Sequence, residues 1–272
     1  MKKSLLLLFM SLSLNIYSLP KIISKGNSNE KSVALTFDDG PNSSSMLSLL
    51  DLLKEYNIKV TFFVIGQEVE IHQKALKRAF NEGHEIANHS YTHANFAKLD
   101  EKTLEFELDG TNNTILRIIG KKPKIYRAPY GVFSRSLKVA SSLDLIPVMW
   151  DLDTLDWSSK TTSQNIIDQI KVNVKKNDII LMHTLSKNFK SYEALKILIP
   201  YLIKEGYTFK TVSQITNKEA YYSNPESEKP LKTLLEPPTE LDQKLNKNDK
   251  HLKEAIELDI APYDSIGSFS QL

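Results

Sequence analysis

The chain has 272 residues, 41% of them hydrophobic and 25% charged, with a formal net charge of +2. That hydrophobic share can build a core, and interleaved lysines and acids lack the clustered basicity that nucleic acid binding requires. With no cysteine, disulfides, thiolate metal sites, cysteine nucleophiles and lipidated cysteine anchors are excluded. At the N-terminus, Lys2 and Lys3 precede the apolar run SLLLLFMSLSL and the small Ser18. This is the charged, apolar, small layout of a secretory signal peptide, expected over residues 1–20. The run falls short of the roughly 20 residues of a membrane-spanning helix. Ile16 at the −3 position makes a weak cleavage site, so an uncleaved anchor stays open. The protein is expected to be exported, with no stable membrane span once the signal is cleaved.

Between about Lys31 and Gln214 strand and helix patterns alternate. SVALTF (32–37) reads as a strand, and SSSMLSLLDLLKEYN (43–57) as a helix with a serine N-cap. KVTFFVIG (59–66) is nearly all apolar, as in a strand buried on both faces. VEIHQKALKRAFNEG (69–83) is helical and ends at Gly83 after basic residues. HEIANHS (84–90) is a short strand entering a loop, and DEKTLEFELDGTNNTILRIIG (100–120) is helical despite Gly110 inside it. KIYRAPYG (124–131) enters another loop, SRSLKVASSL (134–143) is helical, and LIPVMWDL (145–152) is a strand. SQNIIDQIKVNV (163–174) is helical and NDIILMH (177–183) a strand; YEALKILIPYLIKEG (192–206) is a helix before the short strand YTFK (207–210). Such alternation predicts a parallel α/β sheet, and this number of units favours a distorted (β/α) barrel over an open sheet. From Asn217 onward the chain is rich in Lys, Glu, Asn and Pro. Residues 217–272 are expected to form a mostly disordered tail in which only HLKEAIELDI suggests a short helix, because they bury too little to offset their ordering entropy.

VALTFDDGPN (33–42) ends a strand on two adjacent aspartates. Taken alone, Asp-Gly-Pro reads first as a plain turn; the other reading is a site that needs two carboxylates. The placement of other residues decides. Asp38 and Asp39 end the first strand, His89 and His93 follow HEIAN, Asp153 follows PVMWDL, and His183 ends NDIILM. Carboxyl ends of parallel strands face the ligand site, so these groups converge on one rim. HSYTH sets two imidazoles four residues apart, and with one strand-end carboxylate they form a two-His, one-carboxylate set suited to a catalytic divalent metal. Zinc is the default, with cobalt or another first-row metal possible. Asp153 could orient His183 and keep it protonated, and Arg127 could pair with the carboxylate left off the metal.

The segments TFDDGP, HSYTH, RAPYG, DTLDW and LMH, in this order from about Val33 to Phe209, resemble the polysaccharide deacetylases, the NodB-like carbohydrate esterases. The resemblance implies a distorted (β/α) barrel over residues 31–215 and metal-dependent removal of N-acetyl groups from sugar polymers. It implies Asp39, His89 and His93 as metal ligands and Asp38 as general base, paired with Arg127. His183 would be the general acid, tuned by Asp153. Tyr130 would offer its backbone N–H to the oxyanion, and Trp157 and Leu181 would wall the acetyl methyl pocket. Two positions depart from the common pattern: Thr184 follows His183, and Ala128 precedes Pro129. An acetylated polysaccharide is the expected partner, peptidoglycan first, with chitin oligomers or poly-N-acetylglucosamine next; no nucleic acid or protein partner is implied. Alternatives are an O-acetyl esterase on acetylated polysaccharide, a linear-amide hydrolase, and a non-catalytic secreted carbohydrate-binding protein.

The bend implied by paired aspartates has a cause. Successive strand side chains point to opposite faces, so a turn at the strand end, expected at Gly40–Pro41, must bring both into the site.

Overall fold

In the computed structural model, which describes residues 19–184 and 189–223, the expected alternation builds a curled, half-barrel sheet with every strand pair parallel. The strands are β1 (Ser32–Gly40), β2 (Thr61–Val64), β3 (Glu85–Asn88), β4 (Ile125–Tyr126), β5 (Ile146–Pro147), β6 (Leu152–Asp153), β7 (Ile179–His183) and β8 (Thr208–Phe209). They run in the order β5-β4-β3-β2-β1-β7-β6, with β8 pairing the start of β1. The helices are α1 (Ser45–Glu55), α2 (Gly66–Ile71), α3 (Gln73–Asn81), α4 (Glu101–Glu105), α5 (Thr111–Ile119), α6 (Ser136–Ser142), α7 (Ser163–Asn173), α8 (Lys190–Lys204) and α9 (Val212–Thr216). None among the described residues is long and apolar enough to cross a membrane.

Alternation along β1 divides the core. Val33, Leu35 and Phe37 pack outward with Leu50 and Leu53 of α1 and Leu195 and Leu198 of α8. Ala34 turns inward to Phe63, Ala87, Ile125, Val148 and Ile179, and the next inward residues on β1 are Thr36 and Asp38, as the period of two requires. α7 starts with a capping box between Thr162 and Asn165, and α5 ends at Gly120 with φ 69°, where glycine has no Cβ to clash. The serine N-cap expected for α1 makes no side-chain cap bond; Asn42 Oδ1 accepts from the Ser44 and Met46 N–H groups instead.

Four expectations change. LIPVMWDL is not one strand but two, β5 and β6, at opposite edges of the sheet. Between them the chain crosses the open side of the barrel, and the N-terminal segment straps the same opening: the Ile23 N–H donates to Pro147 O, and Ile23 O accepts from Met149 N–H. The helix expected over 69–83 is interrupted at His72. The helix over 100–120 passes through a π-helical turn, Phe106–Gly110. Residues 220–222, assigned to the tail by composition, are packed: Tyr221 pairs with Pro123, its hydroxyl accepts from Ile86 N–H, and Tyr222 is buried. Two tyrosines supply the apolar area that a count over the whole tail diluted. Residues 1–18 of the expected signal peptide, and 224–272 with the short helix suggested there, lie outside the described residues.

Candidate active site

Asp38 and His183 are register partners on the adjacent strands β1 and β7, both at the carboxyl rim. Asp38 is buried and accepts from Arg127 Nη1 at 2.7 Å. Arg127 fills the barrel interior with no exposed surface. It also donates to Thr36 Oγ1 at 2.9 Å and to the carbonyls of Met149 and Val148, and its guanidinium lies 4.0 Å from the Phe63 ring centroid. Burial pulls the Arg127 pKa down and Asp38 pushes it back. A guanidinium stays charged under such competition, so it fixes the direction in which the Asp38 carboxylate faces.

Asp39 reaches the same rim because it leaves the strand conformation. Its φ is 74°, and the β1–β2 register shifts between Phe37 and Gly40. The bend thus begins at Asp39, just before the expected Gly40–Pro41, whose peptide bond is cis. Asp39 Oδ1 is buried without a hydrogen-bond partner. The Nε2 atoms of His89 and His93 stand 3.5 and 3.3 Å from it, and one ligand atom from each of the three residues lies within 4.8 Å of the others. His89 Nδ1 is 2.9 Å from Arg127 O; donation to that carbonyl leaves the Nε2 lone pair turned toward Asp39. Burial, then the neighbouring His89, holds His93 below the usual imidazole value, which keeps the neutral form that a cation binds. An orphaned anionic oxygen facing two imidazole nitrogens fits a divalent metal.

On the other flank, His183 Nδ1 is 2.7 Å from Asp156 Oδ1, and its backbone N–H donates to Asp156 Oδ2 at 2.8 Å. Ser191 Oγ, at the start of α8, also donates to Asp156. Burial pulls the His183 pKa down, but the hydrogen bond and charge of Asp156, with smaller help from Asp38 and Asp39, carry it up to about 9. The partner of His183 is thus Asp156 and not Asp153. Asp153 spends its Oδ1 on Leu155 N–H. The three-residue offset arises because the chain turns after β6, where Thr154 bonds to Leu181 O through both N–H and hydroxyl, and this turn carries Asp156 in behind His183. DTLDW contained the residue; its second aspartate, beside the tryptophan, was the one to choose.

The remaining expected residues border this group. Tyr130 has φ 57° in a turn that runs Pro129–Gly131, and its exposed ring lies 4.8 Å from that of His93. Its N–H is near the start of that turn, where backbone donors have no partner within the helix. Leu181 is buried two residues before His183, on the same face of β7, and Trp157 is exposed beside Asp156. Thr184, a departure from the common pattern, is engaged structurally: its N–H and hydroxyl both donate to Asp38 O.

A family model described as polysaccharide deacetylase matches residues 25–148. A peptidoglycan-N-acetylglucosamine deacetylase of Bacillus cereus is 36% identical over 199 residues, covering 71% of this chain and 72% of that protein. The peptidoglycan-N-acetylmuramic acid deacetylase PdaA of Bacillus subtilis is 34% identical over 194 residues, covering 70% and 73%. A crystal structure of a peptidoglycan N-acetylglucosamine deacetylase, in complex with 4-naphthalen-1-yl-N-oxidanyl-benzamide, matches with a TM-score of 0.71 at 33% identity. The match covers 74% of this chain and 95% of that one.

Proposed function

The chain belongs to the polysaccharide deacetylase family, and we propose that it hydrolyses the N-acetyl groups of peptidoglycan with a divalent metal, zinc, as cofactor. The observation that carries the reading is the buried, unpartnered Asp39 Oδ1 before two imidazole nitrogens. On one flank stands a carboxylate held by arginine, and on the other an imidazole held by a carboxylate. Asp39, His89 and His93 would hold the cation, which supplies a Lewis acid for the acetyl carbonyl and activates water. Asp38 takes the proton from the attacking water, its carboxylate aimed by Arg127. The backbone N–H of Tyr130 donates to the oxygen that gains charge. His183 enters protonated and gives its proton to the departing nitrogen, which leaves poorly as an anion. Leu181 and Trp157 wall the space for the acetyl methyl. Acetate and a free sugar amine result.

The high pKa of His183 favours the amide over an O-acetyl ester, since an alkoxide needs less help from an acid. A purely binding protein has no use for Asp38 and His183 together. Peptidoglycan is supported by the names of the two relatives above, one for each of its amino sugars, and by the export expected from the first 20 residues; the site then works in the cell envelope. Mass spectrometry of muropeptides and chitin oligomers after incubation with zinc-loaded protein tests this. The expected outcome is loss of one acetyl mass from muropeptides. Loss from chitin oligomers alone, with muropeptides unchanged, would overturn it.

A further inference from the structure

HSYTH raises a question that the ligand set leaves open: what holds two imidazoles in place across a loop of strained backbone. Ser90 and His93 have φ of 69° and 58°, each of which costs on the order of 1–3 kcal/mol and persists only where the surroundings enforce it. Every backbone N–H from 89 to 93 has a partner. His89 donates to Val64 O, Ser90 to Asn88 Oδ1 and His93 to Ser90 Oγ. The two between them, Tyr91 and Thr92, both donate to Glu107 Oε2 at 2.8 Å. The Thr92 hydroxyl donates to Glu107 Oε1 at 2.5 Å. From the opposite side the first N–H groups of α2, on Gly66 and Gln67, donate to the carbonyls of Ser90 and Tyr91.

We infer that Glu107 is the positioning residue of the metal site, a buried carboxylate whose three hydrogen bonds set the loop from which His93 reaches Asp39. It rests on the reading of Asp39, His89 and His93 as metal ligands. The π-helical turn Phe106–Gly110 carries Glu107, and such turns recur where a helix must re-aim a side chain. Phe106, at the start of the same turn, packs its ring 4.9 Å from the Tyr91 ring. At Gly66 a Cβ would collide with the Tyr91 ring, so the approach of α2 to the loop depends on a missing side chain. Glu107 donates nothing and accepts three times. Glutamine in its place leaves a neutral amide, so the two N–H donors and the Thr92 hydroxyl lose the charge that strengthens all three bonds.

Zinc affinity, read by competition with a chromophoric chelator, tests this without any turnover. Glu107→Gln is expected to weaken zinc binding about 10–100-fold, the range found when partners of metal ligands are removed. Glu85→Gln is the control. Glu85 is buried at the far end of β3 and accepts from Thr61 and Ser213, so its loss lowers the metal-free melting midpoint but leaves zinc affinity at the wild-type value. Should Glu107→Gln fail to fold, Thr92→Val removes the hydroxyl bond alone and is expected to weaken zinc severalfold. Wild-type affinity in Glu107→Gln, in Thr92→Val where the first does not fold, or an equal loss in Glu85→Gln, overturns the inference. A wild-type protein that binds no zinc overturns the metal reading on which it stands.

Discussion

Replacing Asp156 with asparagine isolates the acid side of the reaction. The change keeps shape and a hydrogen bond to His183 but removes the charge that carries its pKa to about 9. Without that charge burial remains, so the imidazole falls to or below its free value of about 6.5. At pH 8 a group with a pKa of about 9 is roughly 90% protonated, and one at about 6.5 roughly 3%. Turnover of an N-acetyl substrate that needs the protonated form should drop about 30-fold at pH 8, and the gap should nearly close by pH 6. The assay is kcat/KM against pH from 5 to 10 at saturating zinc, for wild type, Asp156→Asn and Asp153→Asn. The basic limb is expected to move down only in Asp156→Asn. A limb that stays in place there, or that moves in Asp153→Asn instead, refutes the assignment.

Asp39→Asn is expected to lose both zinc, measured by elemental analysis, and turnover, whereas Asp38→Asn retains zinc and loses about 10²–10⁴ in rate, as removal of a general base does. His183→Ala should depress amide hydrolysis far more than hydrolysis of an O-acetyl ester, read as the ratio of the two rates in one preparation. Because the folded pKa of His183 is raised to about 9, its contribution to stability is full below about pH 6.5 and is lost as pH climbs to 9. Denaturant midpoints of chelated protein should fall over that window and flatten in Asp156→Asn. Ending the chain after Thr216 should lower the melting midpoint relative to ending it after Ser223, since the first removes the buried Tyr222 and the Tyr221–Ile86 hydrogen bond, together about 2–4 kcal/mol.

The sequence carried the fold where one periodicity was unbroken. β1, β2 and β7 are apolar runs bounded by charge or turn residues, and α7 and α8 repeat apolar residues on one face, so their types and places could be read directly. LIPVMWDL failed because an apolar stretch looks the same whether it pairs as one strand or crosses the mouth of a barrel. What parts β5 from β6 is the approach of Ile23 to Val148, a contact from more than a hundred residues away. The grouping of Asp39, His89 and His93 was legible because each falls at or just after the carboxyl end of a strand. Asp156 and Glu107 were not, for a shared reason: each acts through an acceptor geometry that exists only after a turn has re-aimed it.

The site collects backbone strain, and this follows from its chemistry. Alternation on a strand offers every second side chain to a given face, so a sheet alone could present Asp38 but not Asp39. Bringing both to one rim requires Asp39 to leave the strand region, at φ 74°. Ser90, His93 and Tyr130 leave it too, at 69°, 58° and 57°. Aspartate and histidine tolerate such values better than most residues; serine and tyrosine less so. Strain of about 1–3 kcal/mol at each position must be offset by surroundings that allow nothing else: the Arg127 cluster under Asp38, the Glu107 carboxylate and α2 around HSYTH, and Asp156 behind His183. Those buried polar partners stabilise the barrel only while the site is built, which ties the geometry needed for hydrolysis to the folding of the core beneath it.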